Sequence, residues 1–141
     1  MAFIDKSDIT KVIVEEELNE ITRNDEAIVL NAISTAIAEV KSHLFDWYDT
    51  ELIFAKTEEE RDSLLVQFTV DIAIYNIVAI LQAGQDVDDR EKRYKRAISW
   101  LKAASKPLDS KDRIHPDLPK REKSKTSKVS ASSRPKRNNY Y

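Results

Sequence analysis

A single glycine, Gly84, and no proline before Pro107 leave this 141-residue chain few ways to fold. Tight β-turns lean on glycine for positive φ, so an all-β fold is disfavoured. Phosphate-cradling loops need several glycines so that backbone N–H groups can approach the anion. A Walker loop, a Rossmann fingerprint and a kinase loop are therefore excluded. A long run without proline suits uninterrupted helices.

The apolar spacing over that run is helical. SDITKVI (7–13) predicts a short helix capped by Ser7, with Ile9, Val12 and Ile13 on one face. EEELNEITR (15–23) predicts a second, its acidic start facing the positive end of the helix dipole. Asn24 or Asp25 then caps a long helix over 26–48 with the stripe Leu30, Ile33, Ile37, Val40, Leu44 and Trp47. DTELIFAK (49–56) reads as a connector, either an extended arm or a packed loop. Thr57 and Glu60 form a capping box that opens the next helix. That helix carries Leu65, Phe68, Ile72, Tyr75 and Ala79 on one face, and Val70, Ile74, Ile77, Val78 and Leu81 elsewhere. A helix apolar nearly all round is central or touches other subunits. Gly84 is its natural stop. Asp86 or Asp88 caps the last helix, which buries Tyr94, Ala97, Ile98, Leu101 and Ala104. Arg90, Lys92, Arg93, Lys95 and Arg96 give it a solvated basic face. The expected fold is an all-α small bundle, with two short N-terminal helices and three longer ones over residues 1–105. An extended basic tail follows over 106–141.

Charge divides the chain at the same place. Residues 1–105 hold 12 Lys/Arg against 21 Asp/Glu, and residues 106–141 hold 11 against 4. An acidic body does not supply the basic groove that nucleic-acid modules use to neutralise phosphates. The tail is an interaction tail by composition. Cysteine is absent, which rules out disulfides and thiolate metal sites. MAFIDKSDIT has no basic stretch followed by an apolar run, so no signal peptide is expected. The most apolar segment, VDIAIYNIVAIL, contains Asp71 and Asn76 and is too short to span a bilayer.

No catalytic, metal or cofactor residues stand out, and no enzyme is expected. His43 and His115 are far apart in sequence and lack any ligand spacing. The runs Glu15–Glu17 and Glu58–Glu60 read as helix first turns rather than acid/base pairs. No nucleophile elbow is possible without glycines. Asp71 needs a partner if buried, and an interhelical or intersubunit ion pair is the expectation. Trp100 reads as core or core edge. Trp47 and Tyr48 read equally as core or as interface anchors.

The order of the pieces resembles the small all-helical phage head–tail connector proteins of the Mu-like type, also called adaptor or head-completion proteins. The resemblance rests on EEELNEIT (15–22), FDWYD (45–49), DIAIYNI (71–77) and RYKRAISWL (93–101), and it covers residues 3 to about 106. It implies a structural protein of the virion neck, made in the host cytoplasm. Its copies assemble as a ring, twelve-fold in such families, between the portal protein and a downstream tail or neck protein. DNA passes through the channel without specific binding, and no membrane is involved.

Within that implied role, Trp47, Tyr48, Leu52, Ile53 and Phe54 are the expected contacts with the next subunit, being apolar residues on a short connector. The acidic body would repel passing DNA. The tail from Pro119 spans roughly 75 Å if extended and reads as a portal-docking strap. Its anchors are Arg134, Lys136, Arg137, Tyr140 and Tyr141, which offer bidentate and aromatic contacts. The alternative is a small helical regulator whose basic tail binds nucleic acid, with the two tyrosines stacking on bases.

Overall fold

The computed structural model describes residues 2–81 and 87–122, the side chains of Ile80 and Leu81 excepted. Six α-helices appear among them: α1 Lys6–Thr10, α2 Glu15–Thr22, α3 Glu26–Leu44, α4 Thr50–Ala55, α5 Ser63–Leu81 and α6 Val87–Ala104. A 3-10 turn, Glu58–Glu60, lies between α4 and α5. The architecture is all-α, as the spacing predicts.

The starts of these helices follow their caps, and three caps differ from expectation. Asp5, not Ser7, caps α1: its carboxylate accepts from Asp8 N while the Asp8 carboxylate accepts from Asp5 N, both at 3.1 Å. Asp25 caps α3 as expected, accepting from Ala27 N. Residues 49–56 are neither arm nor loop, because Asp49 accepts from Leu52 N at 3.1 Å and nucleates α4. Thr57 makes no side-chain cap bond. Asp62 takes that role for α5, accepting from Leu65 N at 2.8 Å. Asp88 lies inside α6 rather than at its cap. Asp86 and Gly84, the other expected boundary residues, lie outside the described residues.

Turns that ordinarily recruit glycine are made here by other residues. Arg23 and Asn24 adopt φ of 53° and 60°, and Asn24 N reaches back to Asn19 O at 2.9 Å to close α2. Glu58 does the same at φ 51°.

Helix α5 is the centre and packs on α1, α2, α3 and α6. Leu65, Phe68, Val70, Ile72, Ala73, Ile74, Ile77 and Val78 are all buried within the single chain. Much of its apolar surface is thus absorbed internally, while Leu64 and Ala79 are exposed. Full burial of a residue such as Phe68 contributes about 2–3 kcal/mol. Helix α3 meets α5 through Val29, Ala32, Ile33, Ala36, Val40 and Leu44. The two alanines let the backbones approach closely, and this rotates the helix so that Leu30 points away from the core at 63 % exposure.

Contacts with the bundle continue past residue 105, where the sequence reading begins the tail. Ile114 N donates to Ala103 O, Leu118 is buried, and Tyr48 and Lys120 form an isolated antiparallel bridge.

Candidate functional site

Three features outside the regular packing are positioned firmly enough to carry a role. The first is the corner where α3 ends and α4 begins. Trp47 Nε1 donates to Ser105 O at 3.0 Å, and the Tyr48 hydroxyl donates to Ala104 O at 3.3 Å. The Ser105 hydroxyl donates to His43 O, tying the ends of α3 and α6 together. Residues 106–121 then cross this corner as a strap. Arg113 lies over the Trp47 ring at 5.1 Å and donates to Lys106 O at 2.6 Å. Asp49 N donates to Pro119 O at 2.9 Å and Arg121 N to Trp47 O at 3.0 Å. The Arg121 guanidinium stands over the Phe45 ring at 4.5 Å. The strap therefore reaches Glu122, the last described residue, beside the end of α3.

The second feature is an ion pair that ties the N-terminal arm to the α4–α5 connection. Asp8 is buried, and Arg61 Nη1 and Nη2 donate to its two oxygens at 2.8 and 3.2 Å. Arg61 also donates to Phe3 O at 2.8 Å and to Glu58 O at 2.9 Å. Burial by itself would push the Asp8 carboxyl up. The hydrogen bonds from Arg61, Asp5 N–H and Lys11, with the charge of Arg61, outweigh it and hold the group below its ordinary value.

Beside this pair lies the third feature, an open groove of about 860 Å³. Phe3 and Ile4 line one side, and Leu30, Ile33, Ser34 and Ile37 of α3 line another. Lys6, Lys11, Glu58 and Glu59 form its polar edges. Glu58 and Glu59 are exposed.

The sequence-predicted residues divide. Of the five expected subunit contacts, Tyr48, Ile53 and Phe54 are in the chain's own core and Trp47 is half-buried. Phe54 packs edge-on against Phe3 at 4.7 Å. Only Leu52 is exposed, because one turn of α4 sends neighbouring side chains in opposite directions. Phe45, two residues before Trp47 and not among the expected contacts, is exposed. Arg134, Lys136, Arg137, Tyr140 and Tyr141 lie outside the described residues.

Other expectations resolve more simply. Glu15–Glu17 occupy the first turn of α2, but Glu58–Glu60 form the 3-10 turn and not the start of α5. His43 is half-buried, and His115 is exposed. Trp100 packs on Phe68 at a ring distance of 5.2 Å. Asp71 is buried and forms no interhelical ion pair or hydrogen bond among the described residues, which leaves the intersubunit pair as the remaining expectation. Burial pushes its carboxyl up, partly countered by Arg93, Arg90 and Arg96 on α6. Arg93 instead pairs with Asp89 at 3.4 Å. Tyr94 stacks on Tyr75 at 4.3 Å and donates to Glu39 at 2.9 Å. Burial and that bond push its phenol up to about 12.

Among the described residues, no helix is long and apolar enough to cross a membrane. A family model described as Bacteriophage Mu, Gp36 matches residues 3–131, spanning both the bundle and the strap. No curated protein and no solved structure gives a significant match.

Proposed function

The chain belongs to the Bacteriophage Mu Gp36 family of Mu-like phage proteins, and from that membership we propose that it is a head–tail connector subunit of the virion. In this reading its copies form a ring, twelve-fold by resemblance, between the portal protein and the next tail or neck protein. The ring continues the channel for DNA, binds no particular sequence and catalyses no reaction.

The observation that carries the reading is the strap. A connector must present a docking segment from a fixed point while the body holds its place in the ring. Residues 106–121 are fastened across the α3–α4 corner by Trp47, Tyr48, Arg113 and Leu118. In sequence the basic segment from Lys123 onward follows directly on the anchored strap. Two of the perturbed groups are engaged as in a scaffold, Asp8 by Arg61 and Tyr94 by Glu39.

Truncation after Glu122 tests the role of the tail. The shortened protein should keep its melting temperature and lose binding to purified portal rings. Full-strength portal binding without residues 123–141 would remove tail docking from the account. Binding of the intact chain to bare duplex DNA, steeply weakened by salt, would favour the nucleic-acid regulator instead.

A further inference from the structure

We propose that copies of this chain join head to tail by seating the Phe45–Leu52 corner of one copy in the Leu30 groove of the next. This rests on the ring reading above and assigns the surfaces that would close the ring.

Each side of the contact presents a large apolar side chain that the chain's own core leaves exposed. On one side stand Leu30, 63 % exposed, and Ile37, half-buried, seven residues further along α3. They line the groove of about 860 Å³ with Ile33, Phe3 and Ile4. On the other side stand Phe45 and Leu52, 54 % and 52 % exposed, flanking the turn from α3 into α4. Arg121 lies over Phe45 at 4.5 Å, so a cation accompanies the aromatic ring. The groove's edge carries Lys6 and Lys11 as well as Glu58 and Glu59. Lys6 pairs with Glu15 and Glu26 and Lys11 with Asp8, whereas Glu58 and Glu59 form no ion pair among the described residues. Seating Phe45 would bring the Arg121 guanidinium to those carboxylates. There it can pair bidentately in a partly desolvated setting.

Leu30 and Phe45 are fifteen residues apart on one rod, about 22 Å at helical rise, so the groove and the corner are separate patches. Joined head to tail they generate rings or filaments, whereas a reciprocal two-fold pair would use both contacts at once and stop at a dimer. The groove's shape is fixed by the Asp8–Arg61 pair, which holds the N-terminal arm against the 58–61 connection.

The chain has no cysteine, so site-directed cross-linking is clean. Leu30→Cys and Phe45→Cys are made singly and together in the full chain; both positions are exposed, so neither tests the core. Mixing the two single variants with a short bis-maleimide should give one cross-linked dimer, and the double variant a ladder of multimers. Leu30→Asp should weaken self-association by about tenfold or more.

A double variant that stops at the cross-linked dimer, or dimers of Leu30→Cys with itself, would overturn the proposal in favour of a two-fold contact. So would absence of any cross-link under conditions where wild-type rings form on the portal, and in that case the ring reading survives. A thiol at position 30 that reacts with maleimide only after residues 123–141 are removed would assign the groove to the chain's own tail, again overturning it. Failure of the wild-type chain to form rings or larger species, alone or with portal, would remove both readings together.

Discussion

Arg61 and Asp8 meet across 53 residues of sequence, with guanidinium nitrogens 2.8 and 3.2 Å from the two carboxylate oxygens. The same arginine also takes two backbone carbonyls, Phe3 O and Glu58 O. One side chain thus fixes the N-terminal arm, the 3-10 turn and the wall of the Leu30 groove. The pair is shielded, with side-chain exposures of 16 % and 6 %.

Removing Arg61 leaves a buried carboxylate without its partner. Arg61→Ala should cost about 3 kcal/mol in urea unfolding at pH 7, and adding Asp8→Asn should recover part of that loss. Because the Asp8 carboxyl is held below its ordinary value in the folded state, its contribution is present above about pH 4 and lost as pH falls through the folded value. The Arg61→Ala variant should show a weaker loss of stability between pH 5 and pH 2 than the parent. Equal acid sensitivity in both proteins would mean that the pair is not the titrating element.

The α3–α4 corner separates folding from assembly within three residues. Phe54→Ala should destabilise by about 3–5 kcal/mol, because it empties the contact with Phe3. Leu52→Asp should leave the unfolding midpoint within about 0.5 kcal/mol of the parent and weaken ring formation. Paired chemical denaturation and mass measurements distinguish the two effects. A folded, monomeric Phe54→Asp protein would contradict the placement of Phe54 in the core.

The strap should prove part of the folding unit. Truncation after Pro116 removes Leu118 and the Arg121 cover of Phe45, and should cost about 2 kcal/mol with a red shift of tryptophan emission. Truncation after Glu122 should change neither. The boundary between body and tail would then lie beyond 121 rather than at 105.

Much of this was legible from spacing alone. Single bulky positions such as Leu65, Phe68, Ile72 and Leu101 announce their burial by recurring at three and four. Ile33, Val40 and Leu44 of the expected α3 stripe are buried, and Leu30 is the exception, because fit outweighs size there. Ala32 and Ala36 face the core, since small residues let α5 approach, and Leu30 is left outside. Helix α4 departs from the expected connector because Leu-Ile-Phe reads as extended. The readable signal was Asp49, an N-cap two residues before Glu51 in the first turn. The strap and the Asp8–Arg61 pair depend on partners about 50 to 75 residues away, so local pattern carries no trace of them.

Asp71 gives a prediction of opposite sign. Its carboxyl is raised by burial on α5, so ionising it costs stability that grows as pH rises above the ordinary carboxylate range, about 4. Asp71→Asn should melt at a higher temperature than the parent at pH 7, and the gain should shrink as pH falls toward 4. A variant that melts lower at pH 7 would mean that the carboxylate has a favourable partner in solution, as an ion pair with Arg93 would provide.

The connector reading is tested most directly by imaging the full-length protein mixed with purified portal rings, together with the mass of the complex. The account predicts an added ring on one face of the portal, coaxial with its channel and with one copy of this chain per portal subunit. A portal that stays bare at saturating protein, or that carries scattered copies without rotational order, would contradict it.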